Sequence, residues 1–325
     1  STFYTIFNVP YLAMPAEMST LPLERTRLMA WRVRAIGMGQ LIGSSFAPMM
    51  VYWFGGGRSA HGKMAIILGF VAMIAIIFCF LGTKGANQTV PKLKTKLSPK
   101  DSTKLILENK PFLFLIITKF LQLTATAIML ASMAYFFQHW LKKEFNDLGL
   151  YFAISSIIII LVQPFWMSLV KKYSKAELYQ VAAVGYALVS LSWYFSDPQT
   201  GMFWILFRSS LYGIFAGGLL LLGQAMLPDT IHYDWQQTGL RREGIFAGLY
   251  TTAEKLSFAV GGAMAGLFLQ YFGYQSSQSG EVVIQSSTTI SGIYFLAAVM
   301  PALLMLLSCV PLKYYRLKEN DLAQE

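Results

Sequence analysis

The chain has 325 residues, of which 55% are hydrophobic and 13% are charged, and its formal net charge is +10. Soluble domains carry roughly 25% charged residues, so this composition, with a mean hydropathy of +0.50, is typical of a membrane protein and excludes an ordinary soluble domain. The two cysteines, Cys79 and Cys309, both lie in apolar runs. They are too few for a disulfide scaffold or a metal site.

Nine apolar runs predict membrane-spanning helices, because about 20 mostly apolar residues cross about 30 Å of hydrocarbon. The runs are 3–14, which is shorter than the others, and then 29–53, 64–82, 111–137, 148–170, 178–195, 202–226, 245–272 and 290–312. The first run has no basic region before it and no small-residue cleavage site after it, so we do not interpret it as a signal peptide. We therefore expect an all-α, polytopic membrane protein.

Lysine and arginine concentrate in alternate connectors, and the positive-inside rule places those connectors in the cytoplasm. The net charge is then a consequence of topology, and we expect no nucleic-acid partner. The longest hydrophilic stretch has three runs before it and six after it, whereas many transporters consist of two six-span halves. We therefore expect that three further amino-terminal spans are missing; a nine-span protein is the alternative. The predicted units are 1–83, the remainder of the amino-terminal half; 84–110, a cytoplasmic linker; 111–315, a six-span carboxy-terminal half; and 316–325, a cytoplasmic tail.

The eighth run contains an adjacent charged pair, Glu254 and Lys255. An ionisable residue at the bilayer centre costs about 2.5–3.5 kcal/mol, so it indicates a functional site by default. Lys255 is about 15 Å deep, and Thr251 lies one turn before it on the same helix face. A cation beside a hydroxyl suits a ligand with hydroxyl, carboxylate or phosphate groups. For Glu254 we expect a basic partner on a neighbouring helix, either Arg208 or Lys119; a purely structural contact between helices is the alternative.

The first run contains both polar residues and prolines. Tyr4 and Asn8 are four residues apart and therefore share a helix face, and Thr5 lies between them. This run is either a kinked packing helix or a helix that lines a cavity. The chain has no H-E-x-x-H, P-loop, G-x-S-x-G or cysteine-cluster motif. We therefore predict that it is not an enzyme and holds no cofactor or metal.

Three stretches resemble the glycoside–pentoside–hexuronide:cation symporters, the melibiose-permease branch of the major facilitator superfamily. YTIFNVPYLAMPAEM resembles the family's fourth span, and ERTRLMAWR resembles its fourth-to-fifth connector. PDTIHYDWQQTGLRREG followed by EKLSFAVGGAMAGLFLQYFGY resembles the tenth-to-eleventh connector and the eleventh span. On this resemblance the chain corresponds to spans four to twelve of a twelve-span helical bundle.

The resemblance implies an alternating-access symporter with its solute site between the halves, near the middle of the membrane. It implies that Thr5 contacts the coupling ion, Na⁺ or H⁺. The implied solute-binding residues are Tyr4, Asn8, Arg32, Thr251 and Lys255. Asn8 stands where melibiose permease has a carboxylate, and Leu12 and Leu220 stand where it has sugar-stacking tryptophans. These departures favour, as an alternative, a sodium-coupled carrier of lysophospholipids or other amphiphiles.

Charged residues in two connectors suggest a cytoplasmic gate. Opposite charges on the two halves could pair across the cytoplasmic mouth and close it. The candidate gate residues are Arg25, Arg27, Asp229, Asp234, Arg241, Arg242 and Glu243. The alternative is solvated charge, worth about 0–1 kcal/mol per exposed pair.

Together these observations predict a secondary active transporter that carries a sugar or sugar-like solute by cation-coupled symport. We expect a monomer in the bacterial inner membrane, with the small solute and the lipid bilayer as its partners. A non-transporting membrane scaffold is the alternative from a different class of protein.

Overall fold

A computed structural model describes residues 2–19, 21–55, 57–85, 108–240, 242–275, 284–315 and 317. Within these ranges every regular element is a helix, which confirms the all-α expectation. The helices are α1 (Thr2–Met18), α2 (Pro22–Leu41), α3 (Ala47–Trp53), α4 (Gly57–Thr83), α5 (Lys110–Tyr135), α6 (Phe145–Leu161), α7 (Gln163–Val170), α8 (Lys175–Leu191), α9 (Met202–Thr238), α10 (Glu243–Tyr271), α11 (Ser287–Tyr294) and α12 (Met300–Leu312). The predicted linker and tail lie almost entirely outside the described residues.

Several helices are segments of longer rods. Wider π-helical turns join α2 to α3 at Ile42–Phe46 and α11 to α12 at Phe295–Val299, and a third extends α5 through Phe136–Trp140. The rod of α6 and α7 bends at Val162, two residues before Pro164. Proline lacks an N–H group and crowds the preceding turn, which accounts for this bend.

Six of the described helical rods are long and apolar enough to cross a membrane. They are Gly57–Thr83, Lys110–Trp140, Asn146–Val170, Lys175–Phe195, Met202–Thr238 and Ser287–Leu312. The three other predicted spans also fold as helices, in α1, α2–α3 and α10, but these are shorter or carry more charge. The chain is therefore an integral membrane protein.

The helices after residue 108 pack into one bundle, in which α5 contacts α10 and α12 while α9 contacts α6 and α8. Two of the amino-terminal helices dock against this bundle: α1 lies on α10, and α2 lies on α6, α7 and α9, whereas α4 packs on α3. Capping side chains define several helix starts. Asn109 accepts a hydrogen bond from the Phe112 amide at α5, and Ser174 accepts one from the Glu177 amide at α8.

The two charged connectors are shorter than the sequence suggests. The prediction of a connector after residue 227 is wrong over most of its length, because α9 continues to Thr238. The helix is terminated at Gly239, which has a left-handed φ of +66°. Likewise α2 already begins at Pro22, so that Arg25 and Arg27 are helical. The density of charged residues predicts solvated loops in these two stretches. In the structure several of these charged side chains are instead buried in ion pairs between packed helices.

Candidate functional site

A chain of hydrogen bonds joins the two parts of the bundle deep inside it. Arg32 on α2 donates through Nη2 to the Asn8 Oδ1 of α1 and through Nη1 to the Gln224 Oε1 of α9, both at 3.1 Å. Asn8 Nδ2 in turn donates to the Thr251 Oγ1 of α10 at 3.4 Å. Arg32 is ten residues beyond the start of α2, about 15 Å along the helix axis. These four side chains form what we call the Arg32 cluster.

The acceptors of Arg32 are neutral amides. Asn8, Gln224 and Thr251 are buried, and Arg32 itself is half-buried with its guanidinium 5.3 Å from the centre of the Tyr11 ring. A guanidinium has five N–H donors, and only two are used by these amides. The cluster therefore presents a cation with spare donors beside amide and hydroxyl groups, which suits a solute that is rich in oxygen.

A second polar group lies next to the Arg32 cluster, on α5 and α10. Lys119 is buried, and its Nζ donates to Gln122 Oε1 at 2.5 Å. The Lys119 side chain packs directly on the backbone of α9 at Gly223, where a Cβ atom would lie only 2.9 Å from Lys119 Nζ. Glu254 interacts electrostatically with both Lys119 and Arg32. The expectation of a basic partner for Glu254 thus favours Lys119.

Arg208, the other expected partner of Glu254, is engaged elsewhere. It donates through Nε to Ser192 Oγ and through Nη2 to the Ser192 carbonyl, each at 3.2 Å, and stacks over Trp193. The Arg208 alternative is therefore wrong. The long side chain of Arg208 reaches the carbonyl at the end of α8, and this contact is structural.

The remaining solute-site predictions have different outcomes. Lys255 is half-buried and lies one turn beyond Thr251 on α10. Tyr4 and Thr5 belong to α1, but their side chains lie outside those that the structure describes. Leu12 is fully buried in the apolar core and Leu220 packs against that core, so neither position provides a stacking face.

At the cytoplasmic end, one carboxylate joins three helices. Asp229 on α9 contacts the Arg25 Nη2 of α2 at 3.2 Å and the Lys175 Nζ of α8 at 2.5 Å. The Arg25 and Asp229 side chains are 0% and 4% exposed, so this ion pair between the halves is wholly inside the protein. Tyr315 is buried nearby; burial raises the pKa of its phenol well above the ordinary value, and Asp229 adds to that effect. We call these four side chains the Asp229 cluster.

The other expected gate residues have different positions. Asp234 pairs with Arg242, which donates to it through Nε at 3.0 Å and through Nη2, and both belong to the carboxy-terminal half. Glu243 is buried at the start of α10, within electrostatic reach of Asp234. Arg27 is exposed, and Arg241 lies outside the described residues. Within the described part of the chain, the pairing between halves that the gate hypothesis requires is carried by Arg25 and Asp229.

The sequence analysis overlooked three residues that take part in these contacts between helices. Gln224 could have been found, because it is a lone amide in the apolar sequence LLLLGQAM. Lys175 could not have been found, because no local pattern marks it as a partner of Asp229. Asn109, which donates to the Thr230 carbonyl at 3.2 Å and ties α5 to α9, was counted only as part of the linker.

This architecture, a polytopic helical bundle with a polar cluster between its parts, is typical of a membrane transporter. A model of the family described as MFS/sugar transport protein matches residues 1–319. The chain belongs to the MFS/sugar transport protein family, and it is a transporter of the inner membrane and not an enzyme.

Similar proteins carry related names. The putative sulfoquinovose importer of Salmonella typhimurium is 28% identical over 99% of this chain and 67% of its own length. The isoprimeverose transporter of Lactiplantibacillus pentosus is 25% identical over 98% of this chain and 66% of its own length. The inner membrane symporter YicJ of Escherichia coli is 26% identical over 98% of this chain and 68% of its own length.

Proposed function

We propose that this protein is a secondary active transporter that carries a sugar or sugar-like solute by cation-coupled symport through alternating access. The observation that carries the proposal is the position of Arg32, whose guanidinium is held between Asn8 of one half and Gln224 of the other. A cation held by neutral groups between two halves is suited to receive a polar solute.

The Arg32 cluster supplies the groups that recognise a sugar. The bond from Asn8 to Thr251 joins two neutral groups. Such a bond contributes only about 0.5–1.5 kcal/mol, so a solute hydroxyl can replace it at little cost. Arg32 then offers charge-assisted bonds, which are stronger than neutral ones. Lys255 and Tyr4 complete the proposed solute-binding set. The exchange of internal partners for solute oxygens would couple binding to the relative position of the halves.

The Asp229 cluster supplies the cytoplasmic closure. Arg25 approaches from the amino-terminal half, and its contact with Asp229 is buried. Opening towards the cytoplasm would separate these charges and hydrate them. Because hydration compensates for the lost ion pair, such a contact can be broken and reformed in each transport cycle.

The coupling ion is Na⁺ or H⁺, with Thr5 as its proposed contact in this chain. We propose that the transporter acts as a monomer. Between the two substrate classes, sugars are favoured: two of the similar proteins are named for sugars, sulfoquinovose and isoprimeverose. The amphiphile alternative depended on Leu12 and Leu220, and Leu12 is part of the buried core and not of a surface that an acyl chain could contact.

Uptake into proteoliposomes tests the proposal. The purified chain would be reconstituted and offered radiolabelled sulfoquinovose, isoprimeverose, a glucuronide and a lysophospholipid, each with an imposed Na⁺ gradient, an imposed pH gradient or neither. We expect accumulation of one of the sugars that depends on one gradient. Accumulation that is independent of both gradients would refute the coupling, and selective uptake of the lysophospholipid would refute the sugar assignment.

Lys255 provides the matched variant for that experiment. The Lys255→Gln protein should insert and fold normally but lose solute binding, because its amide cannot replace the ammonium group. Lys142→Gln, a change of the same charge in the connector before α6, serves as the control. Unchanged uptake by Lys255→Gln would remove Lys255 from the site.

A further inference from the structure

A groove opens on the surface of the bundle between α2 of the amino-terminal half and α7 of the carboxy-terminal half. Its cavity has a volume of about 460 Å³. On α2 the lining residues follow helical spacing, so that one face of the helix forms one wall, and a face of α7 forms the other. The defining residues of this groove, which we call the α2–α7 groove, are Arg27, Trp31, Arg34, Pro164, Met167 and Lys171.

The mouth of the α2–α7 groove is cationic. Arg27 and Lys171 are exposed, and in the described part of the chain neither forms an ion pair or a hydrogen bond. Arg34 lies about two helical turns further along α2 than Arg27, with its guanidinium 4.5 Å from the centre of the Trp31 ring. The one carboxylate in the groove, Glu24, accepts a hydrogen bond from Ser19 Oγ at 2.6 Å. The mouth therefore carries a net positive charge at the end of the bundle assigned to the cytoplasm.

The wall of the α2–α7 groove beyond Arg27 and Lys171 is mainly apolar. It is lined by Trp31, Pro164 and Met167, and by Arg34, which stacks on Trp31. The Trp31 side chain is 61% exposed. Tryptophan is enriched at the boundary between headgroups and acyl chains. A free phosphate ion would be complementary to the mouth alone. A molecule with an anionic head and an apolar tail is complementary to the whole groove.

We infer that the α2–α7 groove binds the phosphate headgroup of an anionic phospholipid from the cytoplasmic leaflet. Arg27 and Lys171 contact the phosphate, and the first part of an acyl chain lies along Trp31 and Met167. Basic pockets between helices on the cytoplasmic side bind anionic headgroups by the same chemistry, since guanidinium groups match phosphate oxygens in geometry and charge. Because the two walls belong to different halves, the bound lipid bridges them.

Native mass spectrometry of the purified, delipidated chain tests this inference. The probes are phosphatidylglycerol and phosphatidylcholine with identical acyl chains, and inorganic phosphate as a competitor. We expect one retained phosphatidylglycerol per chain and at least tenfold weaker retention of phosphatidylcholine. Equal retention of the two lipids would overturn the inference. Displacement of phosphatidylglycerol by an equal concentration of inorganic phosphate would overturn the lipid assignment.

A pair of double variants makes the test specific to the groove. Arg27→Gln with Lys171→Gln removes both mouth cations, and each cation near a membrane surface accounts for roughly fivefold in affinity, so retention should fall by roughly 25-fold. Lys172→Gln with Lys313→Gln removes the same charge from exposed positions at the same end of the bundle, outside the groove. Equal losses in the two double variants would contradict the assigned site.

Tryptophan fluorescence gives a second measurement that does not depend on those variants. Phosphatidylglycerol with brominated acyl chains quenches indoles in contact with it. We expect Trp31→Phe to remove more of this quenching than Trp204→Phe, a change at an exposed position on another helix. Equal effects of the two substitutions would show that the lipid does not lie against Trp31.

Discussion

The Arg32 cluster and the Asp229 cluster both connect the two halves, but by different chemistry. Around Arg32 the partners are neutral amides, at 3.1 Å, and the link to Thr251 is longer still, at 3.4 Å. Around Asp229 two cations share one carboxylate, and the Arg25 side chain is fully buried. Hydrogen bonds from Arg32 to neutral amides can be exchanged for bonds to a solute that is also neutral, whereas a buried ion pair resists opening until water reaches it. The comparison assigns recognition to the first cluster and closure to the second.

The largest effect should come from Asp229→Asn, which leaves Arg25 and Lys175 buried without a carboxylate. Removing one partner of a buried ion pair costs about 3–5 kcal/mol. We expect a clear loss of thermal stability in detergent. We also expect separation of the halves at the cytoplasmic end, measured as the distance between spin labels at Leu21→Cys and Lys172→Cys in a background without native cysteines.

The matched control for Asp229→Asn is Asp234→Asn. Asp234 is also buried and paired, but its partner Arg242 lies in the same half. This variant should lose stability without changing the distance between the labels. If both variants changed that distance equally, the Asp229 cluster would have no special part in closure.

The next effect concerns recognition. Arg32→Gln removes the cation that donates to Asn8 and Gln224, and hydrogen bonds to charged groups contribute about 1.5–3 kcal/mol. Solute affinity should therefore fall by roughly 10- to 150-fold. Arg34→Gln, two residues along the same helix, is the control, because the Arg34 guanidinium stacks on Trp31. Equal solute affinity of the two variants, measured by equilibrium binding, would contradict the assignment of Arg32.

A smaller effect tests the charges beside the Arg32 cluster. Lys119→Gln and Glu254→Gln each leave one charge without its counterpart, so the double variant should be destabilised by about 1–3 kcal/mol less than the sum of the two single variants. Thermal or denaturant unfolding measures this coupling. Arg208→Gln should instead combine additively with Glu254→Gln, because Arg208 contacts Ser192. Additivity of both pairs would show that Glu254 does not depend on Lys119.

The sequence predicted the elements of this fold better than it predicted their ends. Apolar run length determines where helices cross the membrane, and the helices are found where those runs occur. The continuation of α9 to Thr238 was missed because charge at Asp229 and Asp234 suggested a loop. Both carboxylates are buried only because Arg25 and Arg242 neutralise them, and such long-range pairing leaves no local pattern.

The same limit applies to the candidate site. The resemblance to a known family identified Asn8, Arg32 and Thr251, which the structure brings together. The partner of Glu254 remained open between Arg208 and Lys119, because either arginine or lysine satisfies the requirement for a cation. Only the packing of α5 against α10 distinguishes them. Composition thus indicates that buried charges need partners, and tertiary structure determines which partners they have.

The smallest effect should come from Thr251→Val, and it tests how the Arg32 cluster differs from a rigid lock. The bond from Asn8 to Thr251 is 3.4 Å long, and a neutral hydrogen bond contributes about 0.5–1.5 kcal/mol, so solute affinity should fall by only about two- to tenfold. Thr252→Val is the control, since the Thr252 hydroxyl is exposed and donates to the Gly248 carbonyl of its own helix. Isothermal titration of the solute measures both. A loss of affinity for Thr251→Val as large as that for Arg32→Gln would mean that the Thr251 hydroxyl is itself a principal contact of the solute. The contrast between an exchangeable Arg32 cluster and a firmly paired Asp229 cluster would then be wrong.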